Sequence, residues 1–261
     1  MVAIIRSAVS DFVRGLSMHR MWMALASEEI SDQHKRTLLG PMWLLVSYVL
    51  FVSAFIVIFG GTASMPHFQV YVGVGMIVWL FIQDIMMQGV TLYLREENFI
   101  KGTRLPLTVY VMRLWVQSII KIMYASIGLL AILIIYREDV MRESFYAVFG
   151  FAFVAAAFLP AIVVMAIAGA FFPDLQFIVN NLMRVGIFLT PIFWVPQQGT
   201  IRENLYWMNP FTHMIEIVRT PIIDGYMPVN SLMVVSVIFL ALWIAAIFML
   251  GKYRRDIAFL L

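Results

Sequence analysis

An all-α integral membrane protein with six spans is the fold class that three observations predict. The 261 residues are 62% hydrophobic and only 13% charged, with a mean hydropathy of +0.91, too apolar for a soluble domain of this length. The apolar residues gather into runs of the roughly 20 residues that a helix needs to cross a hydrocarbon core. Lys and Arg cluster at the ends of these runs, on alternating connections, as membrane orientation requires.

The first element is residues 1–36, an N-terminal segment on the cytoplasmic side. Within it, residues 10–34 predict an amphipathic helix with Phe12, Leu16, Met23, Ala26 and Ile30 near one face, lying in the membrane interface. No cleavable signal peptide is visible, because Arg, Asp and Glu interrupt the short apolar pieces. After Lys35 and Arg36 the chain turns apolar from Leu38 to Phe59, and the six-span domain occupies 37–261. Its spans are predicted at about 38–60, 69–92, 107–136, 145–171, 176–195 and 231–251. Only Arg137 to Glu143 separate the third span from the fourth. Phe172-Pro173-Asp174 splits the fourth from the fifth, since proline disfavours a continuing helix.

Orientation follows from the basic residues. Arg6, Arg14, Arg20, Lys35, Arg36, Arg95, Lys101, Arg104, Arg113, Lys252, Arg254 and Arg255 fall on one side; Arg137, Arg142, Arg202 and Arg219 fall on the other. Twelve against four places both termini in the cytoplasm. Residues 94–108 then form a charged cytoplasmic connection. Residues 196–228 are external and too apolar for a solvated loop, so they predict short helices dipping back toward the membrane. No internal repeat is evident.

Several chemistries are excluded. The absence of Cys removes disulfides and thiolate metal sites. No G-x-x-x-x-G-K-[ST] occurs, so the chain lacks the P-loop means of binding ATP. No H-E-x-x-H or G-x-S-x-G is present, and His19, His34, His67 and His213 are far apart. No catalytic residue, metal site or cofactor is expected. The pI of about 9.2 reflects dispersed loop charges and not a nucleic-acid face.

Charges inside spans are costly and therefore candidates for function. Asp84, Lys121 and Arg184 are the clear cases, and counting about 1.5 Å per residue puts them at similar depth. Asp84 and Lys121 read better as an internal pair joining two helices than as a conduit lining. Arg184 has no obvious carboxylate partner at its depth, and the two readings stand even. Phe51, Phe55 and Phe59 recur every four residues on the first span, while Phe188, Phe193 and Trp194 crowd the outer part of the fifth. Such aromatics suit sugar stacking, but packing or an interface belt explains the spacing as well. Outside, Pro210 fits the first turn of a helix capped by Asn209. His213, Glu216 and Arg219 follow three apart, which a salt-bridged amphipathic helix explains better than a catalytic pair does.

In order, these pieces resemble the membrane subunit of type-2 ABC exporters, specifically the polysaccharide-export permeases, over nearly the whole chain. The resemblance rests on Arg36-Thr37-Leu38-Leu39-Gly40-Pro41-Met42-Trp43, Phe172-Pro173-Asp174-Leu175, Pro191-Ile192-Phe193-Trp194 and Asn209-Pro210-Phe211 through to Arg219. Many capsule and teichoic acid permeases carry proline where this chain has Tyr48, so it looks most like the O-antigen (lipopolysaccharide) subgroup. The resemblance implies a homodimeric channel in the bacterial inner membrane, each copy docking a separate ABC ATPase subunit. It implies a polyprenyl-pyrophosphate-linked glycan as substrate. It assigns Arg184, Phe51, Phe55, Phe193, Trp194 and Tyr48 to the channel. Arg95, Glu96, Glu97, Lys101 and Arg104 go to ATPase coupling, and Asn209, Pro210, His213, Glu216 and Arg219 to an external gate. Capsule or teichoic acid export, drug or lipid export, and ion-coupled secondary transport are the alternatives.

Overall fold

The helix at the centre of the bundle is the least apolar of the long ones, because in a membrane it is the lipid-facing helices that must be apolar outward. The computed structural model describes residues 2–60, 67–103, 105–136 and 142–260, apart from the side chains of Val2, Ala3, Arg142, Glu143, Arg255 and Ala258. The helix α4 (Phe68–Gly89) has 72% of its apolar window buried, whereas the first and last apolar helices each have 11%. It is the inner helix, and α3 (Trp43–Phe59) and α12 (Val229–Leu260) are peripheral. Between them stand α7 (Leu107–Ile135) and α8 (Tyr146–Phe171), which pack against α4 and against each other. Leu50, Val57, Ile134, Val148, Val237 and Ile244 point outward, as the lipid-facing stripes of membrane helices do.

Among the described residues, five helices are long and apolar enough to cross a membrane: Gly40–Phe59, Phe68–Gly89, Leu107–Ile135, Tyr146–Phe171 and Val229–Arg254. The chain is a helical, multi-pass membrane protein, with no strand among the described residues. The expected fifth span departs from the prediction. Its helix, α9 (Leu175–Leu189), has 15 residues, about 22 Å at the α-helical rise and short of a hydrocarbon core of about 30 Å. Thr190 turns extended, so Phe193 and Trp194 sit in an irregular stretch beyond the helix and not on it. The last helix, by contrast, runs well beyond the expected Gly251.

The N-terminal segment also differs from expectation. It is not one helix over 10–34 but two, α1 (Val2–Ser17) and α2 (His19–His34), broken at Met18. The break resets the helical phase. Phe12, Ala26 and Ile30 are buried as expected, but Leu16 and Met23 are exposed, and Ala8 and Trp22 complete the buried faces. Ala8 and Phe12 join the main core, and α1 packs along α12 and α7.

A carboxylate makes that docking specific. Helix α7 begins after Pro106, which offers no side-chain cap. Asp11 of α1 supplies it: Thr108 donates its backbone N–H (3.0 Å) and its hydroxyl (2.7 Å) to Asp11 Oδ1. Arg254 of α12 lies 3.4 Å from the other oxygen and donates to the Ser7 carbonyl. One buried acid thus joins both ends of the chain to the start of α7. Asp11→Ala is expected to cost about 1–3 kcal/mol, as removal of a cap with a charged acceptor does. Asp11→Asn retains an acceptor for Thr108 and should lose less. Thermal unfolding in detergent measures both, and equal losses would remove the capping explanation.

The expected helices between α9 and α12 are present as α10 (Ile201–Met208) and α11 (Pro210–Ile223). Asn209 caps α11 by accepting from the Phe211 N–H at 2.9 Å, with Pro210 in the first turn. The amphipathic reading of this helix is corrected, however. Every residue from Thr212 to Ile223 is buried, because α4, α8 and α12 surround α11.

Candidate functional site

Four helices that pack side by side leave a cavity of about 650 Å³ between α3, α4, α7 and α9. Its apolar wall comes from α3 and α9, with Leu44, Phe51, Phe55, Ile187 and Phe188. Its polar groups are Ser47, Gln83, Asp84, Gln88, Ser118, Lys121 and Arg184. The three intramembrane charges that the sequence set at similar depth therefore meet in one place.

Asp84 and Lys121 form the expected pair, Nζ to Oδ1 at 2.9 Å, and the pair also lines the cavity. Ser118 donates to Asp84 Oδ2 at 2.6 Å, and Gln88 Nε2 donates to Oδ1 at 2.6 Å. Three donors occupy this carboxylate, so the hydrogen-bonding needs of a half-buried acid are met within the protein. Arg184 makes no ion pair among the described residues and is exposed toward the cavity. One negative and two positive side chains leave the cavity with one uncompensated positive charge.

The aromatic residues are partly brought together. Phe55 stacks on Phe193 with centroids 3.8 Å apart and planes 6° apart, and Phe51 lies 5.1 Å from Phe55. Trp194 is turned to its own backbone, donating Nε1–H to the Phe188 carbonyl at 2.9 Å. Tyr48 touches the cavity but is mainly a helix joint. Its hydroxyl donates to the Gly73 carbonyl of α4 at 2.9 Å, and its ring fills the space beside Gly128 of α7, where a Cβ would come within 2.7 Å.

The turn bearing Phe193 is clamped from behind. Arg219 Nη1 donates to the Pro191 carbonyl at 2.7 Å, its guanidinium lies 3.6 Å from the Tyr71 ring centre, and it pairs with Glu216. The Tyr71 hydroxyl is within 3.0 and 3.1 Å of the Pro191 and Trp194 carbonyls. Burial opposes the charge on Glu216, yet Arg219, Thr220 and Tyr206 hold its carboxyl below the usual range. His213 takes no part. Its Nε2 lies 3.0 Å from the Trp207 carbonyl and so carries the proton there, leaving Nδ1 to accept from Ser231. Asn209 Nδ2 reaches the Thr190 hydroxyl at 2.9 Å. Of the five residues expected at a gate, Asn209 and Pro210 form a helix cap, Glu216 and Arg219 an interior clamp, and His213 joins Trp207 to Ser231.

At the end of the bundle that carries the termini, the short helices α5 (Leu92–Arg95) and α6 (Glu97–Gly102) follow α4. Glu96 between them is buried and taken up by Arg113 of α7, which also lies 3.5 Å from Glu29 of α2. Lys101 pairs with Glu97 at 2.6 Å at the surface, and Arg95 is exposed. Arg104 lies outside the described residues. Phe99, missed in the sequence, stands 62% exposed in α6. Gln88 and Ser118 were missed too, although their signal was available: Gln88 follows Asp84 by four residues and Ser118 precedes Lys121 by three, each on one helix face.

Compared with family models and with curated proteins, the chain matches none.

Proposed function

We propose that the chain is the channel-forming membrane subunit of an ATP-driven exporter for polyprenyl-pyrophosphate-linked polysaccharide of the O-antigen type. Two copies form the conduit in a bacterial inner membrane, with both termini cytoplasmic. A separate ABC ATPase docks on each copy near α5 and α6, where Arg95, Lys101 and Phe99 are exposed. The observation that carries this reading is the cavity. It combines aromatic rings, on which sugar faces stack, with one uncompensated cation suited to a phosphate. Helix α10 lines the exit on this reading, and the clamp on Pro191 fixes its rim.

Ion-coupled transport fits less well, because a carrier acid must exchange protons or ions while Asp84 is already engaged by three donors, one of them the Lys121 ammonium. The purified chain is expected to hydrolyse no ATP until a partner ATPase is added, and robust hydrolysis by the chain alone would overturn the assignment. Arg184→Ala is expected to lower export of surface glycan about tenfold, the worth of one charged hydrogen bond. Dimer and ATPase assembly should be intact. Export at the normal rate would return Arg184 to a packing role.

A further inference from the structure

We infer that Gln88 is a positioning residue that links the surface charge at Arg95 to the Asp84–Lys121 pair inside the cavity, an inference that rests on the proposed roles of the cavity and of α5–α6. An amide has one donor end and one acceptor end, so its neighbours dictate how it points. Asp84 can only accept here, and it takes Gln88 Nε2 at 2.6 Å. Arg95 can only donate, and its Nη1 reaches Gln88 Oε1 at 3.3 Å. Those two partners fix the amide in a single orientation. The line of contacts runs from Arg95 through Gln88 to Asp84, and from there to Lys121 Nζ at 2.9 Å and Ser118 at 2.6 Å.

The surface end of this line is tied to the segment proposed to dock the ATPase and, through it, to α7 and α2. Arg95 lies 3.5 Å from Glu96, which Arg113 holds, and Arg113 also faces Glu29 of α2. A displacement of α5 withdraws Arg95 from the amide oxygen. The amide is then free to turn its donor away from Asp84. Asp84 loses one of three donors and draws Lys121, the charged one of the two that remain, closer. The ammonium that faces the cavity is thereby sequestered or released according to the position of a surface helix, over about one turn of α4.

The chain alone, in nanodiscs, suffices for the test, with amine acetylation by an N-hydroxysuccinimide ester followed by peptide mass spectrometry. Lys101 and Lys252, away from the cavity, serve as internal standards. Arg95→Met is expected to slow acetylation of Lys121 about threefold relative to both standards, the effect of one weakened hydrogen bond on the population of free amine. Arg95→Lys, which retains a donor, should restore most of the rate. In a Gln88→Met background the Arg95→Met change should have no further effect. Gln88→Glu, an isostere that accepts from Arg95 but cannot donate to Asp84, should slow Lys121 to the level of Gln88→Met. An unchanged Lys121 rate in Arg95→Met would overturn the linkage. So would a change of equal size with and without Gln88, which would mean that the two charges interact through space. Neither substrate nor ATPase enters the measurement, so failure here leaves the export assignment standing, and failure of ATPase assembly leaves the linkage standing.

Discussion

Arg219→Met is expected to destabilise the protein by about 3–5 kcal/mol, the loss seen when one partner of a buried ion pair is removed. Arg219 is 1% exposed, and its removal leaves the Glu216 carboxylate enclosed with only hydroxyl donors. It also removes the donor to the Pro191 carbonyl and the cation over Tyr71. The double variant Arg219→Met/Glu216→Gln should recover much of the loss, because a neutral amide tolerates burial better than an unpaired charge. Unfolding in detergent measures this, and a single variant as stable as the parent would dismiss the clamp. Acid examines the same pair. Because the folded-state value of Glu216 is depressed, its contribution is present above the unfolded carboxylate value of about 4.3 and is lost as pH falls through the lower folded value. Glu216→Gln should therefore flatten the fall in stability below about pH 4.

Gly169→Ala is expected to cost about 3 kcal/mol, the upper part of the range for overpacking. A Cβ on Gly169 of α8 would lie 1.7 Å from the Val90 carbonyl oxygen and 2.8 Å from its carbon. These are backbone atoms at the end of α4 and have no rotamer by which to retreat. Gly89 makes the contrast, one residue before Val90. A Cβ there meets nothing nearer than 3.7 Å, so Gly89→Ala should be neutral or stabilising by up to about 1 kcal/mol through helix propensity. The two substitutions add the same methyl on facing helices, and their difference isolates the crossing. If both behaved alike, the close approach of α8 to Val90 would be discredited.

Long helices were legible in the sequence because an apolar run of sufficient length has one solution in a bilayer. The starts of α4, α7 and α8 fall within a residue or so of their expected positions. Asn209 and Pro210 announced α11 for an equally local reason, since a cap and its first turn are adjacent in the chain. The Asp84–Lys121 pair was also foreseeable, because two opposite charges at one depth have few other partners. Misreadings arose where the signal was not local. The helical phase of the N-terminal segment does not carry through Met18, where the chain breaks. The stretch after Leu189 is as apolar as the helix before it, yet Thr190 and Pro191 turn the chain out of the helix.

Hydropathy and charge, which every residue carries with it, determined the membrane class, the helical content and the places where buried charge would need a partner. Partner choice was left to tertiary structure. Asp11 capping Thr108, Arg219 holding Pro191 and Tyr48 bonding Gly73 join residues 97, 28 and 25 positions apart. Arg184 is left as the uncompensated charge of the cavity by the same cause, since Asp84 is already paired with Lys121. A hydrogen bond is decided by distance and direction within about 3 Å, and only the packed helices supply those.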